Sequence, residues 1–201
     1  MKSAIKLLPF LLAAVHVSFT LPVAAESDEW TIVPQQSKIS FVALRGTHIP
    51  ATGVFSNISG KIKFDGKTIK LARVEANIPL DSIFTGINKR DSDLKSPKFF
   101  DISKFAKATF KSFAVRETDE KRYLLAGELA LHGVKKDVDL AFDLPQISAA
   151  GSGIKRLQAS GSTVLIPSDY ALDLRPLHPE GKVRVDMVEI QVSIVAEKTA
   201  K

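Results

Sequence analysis

The sequence contains no cysteine, one tryptophan and two methionines among its 201 residues. The absence of cysteine excludes disulfides, thiolate metal sites and an N-terminal cysteine that carries a lipid anchor. The chain also lacks an HExxH motif, a GxSxG motif and a Walker loop, so the common signatures of metalloproteases, serine hydrolases and nucleotide-binding enzymes are missing. With 45% hydrophobic and 25% charged residues, the composition is that of a globular domain that can bury its own core.

Side chains that could perform chemistry are few and scattered. His48, His132 and His178 follow the N-terminal segment, and no metal-ligand spacing relates them. A zinc site needs three or four ligands that converge on one ion, so we expect neither a metal nor another cofactor. Asp91 and Asp93 are two residues apart in a stretch expected to be helical, where such side chains point apart. We therefore expect that the protein is not an enzyme.

Positive charge is mild and dispersed. The formal net charge is +6, and basic residues alternate with acidic residues in segments such as 61–75. No basic run with interleaved aromatic residues occurs, so nucleic acid is not an expected partner. Solvated outer faces explain this pattern, and a loose, transient attraction to an anionic membrane surface is the alternative.

The N-terminal residues 1–25 have the organisation of a secretory signal peptide. Lys2 and Lys6 form a positive start, an apolar stretch follows, and a Val-Ala-Ala run at 23–25 supplies the small residues of a cleavage site. An uncleaved membrane anchor is the alternative, although prolines and polar residues interrupt the apolar stretch. The sequence predicts cleavage, a periplasmic location and one domain over residues 26–201. Loss of the two leader lysines would lower the charge from +6 to +4.

Apolar and polar residues alternate through much of the chain between Lys38 and Glu197. A period of two indicates strands with one buried and one wet face, which is typical of antiparallel sheets. We therefore predict an all-β fold, an extended antiparallel barrel of about eight strands with short helical insertions. The clearest alternating segments are residues 38–41, 61–64, 73–78, 137–144 and 188–194, and strands are also expected over residues 108–117, 123–131 and 134–144.

Turn signals and non-alternating segments punctuate this pattern. Asp65-Gly66 and His132-Gly133 predict hairpin turns, and residues 118–120 predict a further turn between strands. Three segments do not alternate. They are residues 82–95, expected as a loop and a short helix, residues 145–153, expected as a loop, and residues 168–175, expected as a helical turn capped by Ser168.

The most distinctive stretch is polar and runs from Thr85 to Leu94; we call it the polar segment, residues 85–94. It lies between two strand regions, where barrels commonly place entrance loops. One hypothesis makes it a lid whose Arg90 contacts the polar end of a ligand, since arginine offers several fixed donors. The alternative is that Arg90 and Asp91 are structural residues that pair and cap to hold the segment closed.

Several short motifs follow one another along the chain. They are Trp30-Thr31-Ile32, Ser37-Lys38-Ile39-Ser40-Phe41, Gly53-Val54-Phe55 leading to Gly60, the polar segment, Phe99-Phe100-Asp101, Ala108-Thr109-Phe110-Lys111-Ser112, and Gly127-Glu128-Leu129 with Leu131-His132-Gly133-Val134-Lys135-Lys136. In this order they resemble the YceI-like family of bacterial periplasmic polyisoprenoid-binding proteins, from Trp30 to Glu197. Family members often have a histidine before the serine that matches Ser37. This chain has Gln36 there, so no role of that histidine carries over.

The resemblance implies a lipocalin-like barrel whose interior channel holds a long isoprenoid, as a carrier or reservoir without catalysis. The expected partner is an isoprenoid of the prenyl phosphate or quinone type, or another long-chain amphiphile; the oligomeric state is not indicated. Alternatives from other classes are an envelope enzyme and a stress-response interaction protein that use the polar segment. Inward-facing residues could also fill a solid core, since small barrels do either. The residues expected to contact the ligand are Phe41, Phe64, Val74, Ile78, Arg90, Asp91, Leu140, Phe142, Ile190 and Val192.

Overall fold

The computed structural model describes residues 28–45, 48–118, 122–174 and 187–199. The expected signal peptide and His178 lie outside these described residues, so cleavage of the leader stays a prediction. Within the described ranges the chain forms twelve strands and one α-helix. The elements are β1 (Glu29–Ile32), β2 (Lys38–Arg45), β3 (His48–Phe55), β4 (Ser59–Lys63), β5 (Arg73–Pro79), β6 (Ile83–Phe84), α1 (Asn88–Lys95), β7 (Lys107–Glu117), β8 (Tyr123–Leu131), β9 (Val134–Phe142), β10 (Gln146–Ala149), β11 (Ile154–Leu165) and β12 (Met187–Thr199).

Eight of these strands close into an antiparallel barrel. Their order is β11, β9, β8, β7, β5, β4, β1 and β12, and β12 pairs back with β11. The other described strands extend the sheet outside this ring. β2, β3 and β6 continue from β12, while β10 lies against β11. The prediction of an all-β antiparallel barrel of about eight strands is therefore confirmed.

One edge of β12 serves two partner strands in succession. Its first half pairs with β2, and residues 196–197 pair with β1. Between β1 and β2 the chain leaves the sheet through the 3₁₀ turn Pro34–Gln36, where proline fixes φ and carries no N–H. The buried Ser37 hydroxyl donates to the Val195 carbonyl oxygen (3.2 Å) and accepts from the Val195 N–H (3.0 Å). The Val195 carbonyl oxygen also accepts from the Val33 N–H at 2.8 Å, so the motif serine is needed chiefly for the Val195 N–H, which the interrupted ladder would otherwise leave unpaired.

Burial along the strands follows the alternation of the sequence. In β12 every second residue from Val188 to Ile194 is half-buried on the inner face, and the residues between them are exposed. The β8–β9 hairpin closes through His132 and Gly133, whose φ angles are 50° and 78°. Positive φ at both central residues is the geometry of a tight two-residue hairpin turn, so this predicted turn is confirmed.

Two clusters of buried side chains close the two ends of the barrel. At the first end, which we call the β1 end, the Trp30 indole N–H donates to the Phe64 carbonyl oxygen at 2.9 Å. At the opposite end, the α1 end, Leu94 of the helix packs into the second cluster. The β1-end cluster contains Trp30, Ile32, Ile62, Phe64, Ala72, Val115, Leu125, Leu157 and Ala196. The α1-end cluster contains Ile58, Ile78, Leu80, Ile83, Leu94, Phe100, Ala108, Tyr170 and Leu172.

Three local predictions were wrong in detail. Residues 145–153 are not entirely a loop, because β10 pairs there with residues 155–158 of β11; its residues are all exposed, so no buried face marked the strand. Asp65-Gly66 does not form a tight hairpin, since residues 64–72 join β4 to β5 and include a 3₁₀ turn. Ser168 is not a cap: the turn Pro167–Tyr170 begins one residue earlier, because proline favours the first position.

Candidate functional site

An apolar cavity of about 290 Å³ occupies the barrel interior and is lined by residues of both end clusters. An engineered cavity of about 150 Å³ already binds benzene in a protein core, so this volume is sufficient for an apolar ligand. Of the 43 described residues that line it, Arg90 alone carries a charge at neutral pH. The few other polar residues of the described lining are Thr85, Ser160, Thr163 and Tyr170.

Small residues on inward-facing positions keep this interior open. Ala76, Ala108 and Ala159 line the cavity, where larger side chains would fill part of the space. Gly161 of β11 also lines it, and a Cβ atom there would lie 2.8 Å from the carbonyl oxygen of Ala141. The glycine therefore permits the close approach of β11 and β9. The interior therefore contains a cavity and is not a uniformly filled core.

The structure brings nine of the ten residues predicted as ligand contacts onto one cavity. Asp91 is the exception, because its buried carboxylate turns toward the backbone of the polar segment. Contact with a ligand stays a prediction for all ten. The nine lining residues are Phe41, Phe64, Val74, Ile78, Arg90, Leu140, Phe142, Ile190 and Val192.

Arg90, Thr85 and Asp91 form a connected hydrogen-bond network at the α1 end. Arg90 Nε donates to Thr85 Oγ1 at 2.8 Å, and Arg90 Nη2 donates to the Thr85 carbonyl oxygen at 2.9 Å. Asp91 Oδ1 accepts from the Thr85 N–H at 2.9 Å and from Thr85 Oγ1 at 2.5 Å. The threonine hydroxyl thus donates to the Asp91 carboxylate and accepts from the Arg90 guanidinium. These bonds fix the positions of both side chains.

This network shows that Arg90 and Asp91, whose roles the sequence left open, have different surroundings. Among the described residues, Arg90 forms no ion pair with a carboxylate, and its Nη1 group has no hydrogen-bond partner. Arg90 and Asp91 both hydrogen-bond to Thr85, as the structural alternative for these two residues requires. Asp91 acts on the backbone of the polar segment. Arg90 is held by Thr85 through two of its nitrogen atoms and lines the cavity.

The polar segment lies over the α1 end as a short helix. Its Leu94 is buried with Leu80, Ile83 and Phe100, which anchors α1 to the barrel. Apart from Leu94 and Asp91 the helix has no buried residue, and its other side chains are half-buried or exposed. This arrangement explains why the segment lacks the apolar stripe of an ordinary core helix: one leucine and the Thr85 network hold it.

Tyr170 is a cavity residue that sequence reasoning did not single out. It ends the turn Pro167–Tyr170, is 2% exposed, and its hydroxyl has no hydrogen-bond partner among the described residues. Burial, with a smaller contribution from the neighbouring Asp169, raises the pKa of the Tyr170 hydroxyl above its ordinary value of 10.0. The available signal was Pro167 followed by a short polar run, which indicates a turn but not the direction of the tyrosine.

His132, the histidine whose side chain the structure describes, packs within the fold and contacts other residues. Nδ1 of His132 lies 3.1 Å from the Tyr170 carbonyl oxygen, and its ring packs edge-on against Phe105. The side chain of His48, like His178, is outside the described part of the molecule. Within that part, no three histidine, aspartate or glutamate side chains gather as a metal site. No helix among the described residues is long and apolar enough to cross a membrane.

Comparison with known sequences places relatives along nearly the whole chain. "Protein YceI" of Salmonella newport is 29% identical over 190 residues, covering 92% of this chain and 97% of that protein. A "UPF0312 protein" of Pseudomonas fluorescens is 35% identical over 115 residues, covering 53% of this chain and 58% of the relative. In the second case the chain thus matches little more than half of the relative's length.

Solved structures share the barrel. BcnA of Burkholderia cenocepacia superposes with a TM-score of 0.67 at 21% identity, covering 82% of this chain and 98% of that one. A polyisoprenoid binding domain from Saccharophagus degradans superposes with a TM-score of 0.63 at 19% identity, covering 86% and 98%. The model of the YceI-like domain matches residues 30–196. The chain therefore belongs to the YceI-like domain family.

Proposed function

We propose that this protein binds a long apolar isoprenoid lipid, of the prenyl phosphate or quinone type, inside the barrel. It acts as a carrier or reservoir and performs no chemistry on the lipid. The observation that carries this proposal is the cavity of about 290 Å³ with a single described charge in its lining. The Saccharophagus degradans domain of the same fold, which is named for polyisoprenoid binding, supports the ligand class.

Burial of the isoprenoid chain supplies enough free energy for tight binding. A ligand of about 40 carbon atoms gains roughly 0.3 kcal/mol per atom at the efficiency of large ligands, or about 12 kcal/mol in total. That free energy corresponds to a dissociation constant of about 1 nM. No strong polar anchor is therefore required, which is consistent with a lining that offers so few polar groups.

The polar end of the lipid lies at the α1 end of the cavity. Arg90 lines the cavity there, and Thr85 holds its Nε and Nη2 groups. A guanidinium that is already oriented loses little further entropy when its other donors bind a phosphate or a carbonyl oxygen. The network of Thr85, Asp91 and Arg90 therefore supports the lid hypothesis for Arg90 and a positioning role for Asp91.

A carrier takes up and releases such a lipid by transient contact with a membrane. Phe84 and Ile87 are 57% and 51% exposed beside Thr85, and exposed apolar residues next to a cavity are typical of membrane-interaction sites. We expect Phe84→Ser with Ile87→Ser to reduce sedimentation with anionic lipid vesicles. The control is Phe113→Ser, which removes an equally exposed ring from β7; equal sedimentation of all variants would contradict membrane contact at this site.

Export to the periplasm is the location that fits this function. The positive start, apolar stretch and small residues of positions 1–25 support it. N-terminal sequencing and cell fractionation of the protein produced in a Gram-negative host test this part. Recovery of an uncleaved chain in the cytoplasm would contradict it.

Lipid extraction tests the proposed function. The protein is purified without detergent and extracted with organic solvent, and the extract is analysed by mass spectrometry. We expect an isoprenoid in stoichiometric amount, or uptake of added prenyl lipids by the lipid-free protein. If no lipid is recovered and no added prenyl lipid binds, the protein is not an isoprenoid carrier.

A further inference from the structure

The backbone around Tyr170 is fixed independently of its hydroxyl group. The N–H of Leu172 donates to the Pro167 carbonyl oxygen at 3.1 Å, and His132 Nδ1 lies 3.1 Å from the Tyr170 carbonyl oxygen. Lys136 forms an ion pair with Asp169 at 3.1 Å. Since these contacts hold the turn from β9 and from the β8–β9 hairpin, the fold positions the phenol ring without any bond from its oxygen.

The hydroxyl of Tyr170 is a buried polar group with no partner among the described residues. The side chain is 2% exposed and lines the cavity within a cluster of aliphatic and aromatic residues. Buried polar atoms in proteins are nearly always hydrogen-bonded, and a hydroxyl without a partner destabilises the fold. Phenylalanine would fill the same site without the destabilisation caused by an unpaired hydroxyl, so packing alone does not explain the oxygen atom.

The position of this hydroxyl relates it to the polar end of the cavity. Tyr170 packs in the same cluster as Leu94, which lies one helical turn after Arg90. The hydroxyl is protonated at neutral pH, since its ordinary pKa is 10.0 and burial raises the pKa further. It therefore offers a neutral O–H donor within the α1-end cluster, on the same cavity that Arg90 lines.

We propose that Tyr170 is a ligand-specificity residue whose hydroxyl donates a hydrogen bond to an oxygen atom of the bound lipid. This inference rests on the proposed function, since it assumes an isoprenoid in the cavity. The added claim is that an oxygen atom of the lipid lies inside the cavity, where Tyr170 is buried. A buried donor discriminates strongly against an analogue that lacks the acceptor, because the donor then stays unpaired in an apolar site. Tyr170 thus selects oxygenated isoprenoids over hydrocarbons.

The test compares two ligands and two tyrosine variants. The ligands are solanesol, a long-chain prenyl alcohol, and the hydrocarbon that lacks only its hydroxyl oxygen. Tyr170→Phe removes the proposed donor. Tyr123→Phe is the matched control, because Tyr123 packs against Phe142 at the opposite end of the barrel and does not line the cavity. Affinities of the lipid-free proteins are measured by displacement of a fluorescent apolar probe.

We expect Tyr170→Phe to weaken solanesol binding about tenfold, as for the loss of one buried hydrogen bond, and to leave hydrocarbon binding unchanged. Tyr123→Phe should change neither affinity. The melting temperature of lipid-free Tyr170→Phe should not fall, since the variant loses only an unpaired hydroxyl.

Each other outcome is decisive. If Tyr170→Phe affects both ligands equally or affects neither, the hydroxyl does not contact the lipid oxygen and the inference is wrong. A clear fall in the lipid-free melting temperature would show that the hydroxyl bonds within the protein, which also overturns it. If the unsubstituted protein binds neither ligand, the proposed function itself fails rather than the role of Tyr170.

Discussion

A substitution that places one larger side chain in the cavity can distinguish an open interior from a solid core. Ala159 lies on β11 opposite Ile194, is half-buried and lines the cavity. The substitution Ala159→Leu adds three carbon atoms on the inner face. At about 0.8 kcal/mol per buried carbon group, these atoms contribute about 2.4 kcal/mol when they occupy empty space.

The lipid-free variant should therefore become more stable while its lipid binding becomes weaker. For a protein of this size, 1 kcal/mol corresponds to about 2–4 °C, so the melting temperature should rise by about 5–10 °C. The same three carbon atoms occupy space that the lipid needs. The expected loss of about 2.4 kcal/mol in binding corresponds to an approximately 50-fold higher dissociation constant.

Thermal unfolding and a lipid titration measure these two effects on the same sample. Gln158→Leu is the control, because Gln158 precedes Ala159 and is exposed on the outer face of β11. It should leave lipid binding unchanged. If Ala159→Leu instead lowers stability by about 1–3 kcal/mol, as overpacking does, and binding is unaffected, then the interior is filled and the lipid does not enter it.

Two further substitutions test the α1 end and the interrupted ladder. Arg90→Ala should weaken binding of a prenyl phosphate by about 1–3 kcal/mol more than binding of the matching alcohol. The control Lys89→Ala, which removes an exposed charge one residue away, should not have this effect. Equal losses for both lipids would mean that Arg90 only stabilises Thr85. Ser37→Ala leaves the buried N–H of Val195 unpaired and should lower the free energy of unfolding by about 1–3 kcal/mol in a denaturant titration; a loss below about 0.5 kcal/mol would contradict that role.

The barrel could be predicted from the sequence because its signal is repeated in every strand. The inner face of β12, for example, needs an apolar residue at every second position, and the chain supplies Val188, Ile190, Val192 and Ile194. The His132-Gly133 turn was predictable because glycine readily adopts the positive φ that such a turn requires. β10 was not, because a fully exposed strand has no face to bury.

The cavity and its polar contacts were less accessible to sequence reasoning. An apolar alternation is the same for a filled and an open barrel, and only the three-dimensional grouping of residues such as Ala76, Ala159 and Gly161 distinguishes them. The common partner of Arg90 and Asp91 was also not predictable, because Thr85 meets both side chains only through the fold of the polar segment. The direction of the Tyr170 side chain depends on contacts with distant strands, which no local pattern records.

The central claim is that the lipid occupies the barrel interior, and site-specific photo-crosslinking measures this directly. A prenyl lipid that carries a diazirine in its chain is added to the lipid-free protein, irradiated, and mapped by peptide mass spectrometry. The account predicts adducts on inward-facing residues of the cavity, such as Phe41, Leu140 and Ile190. Adducts confined to outward-facing residues, such as Gln191 of β12, would contradict it.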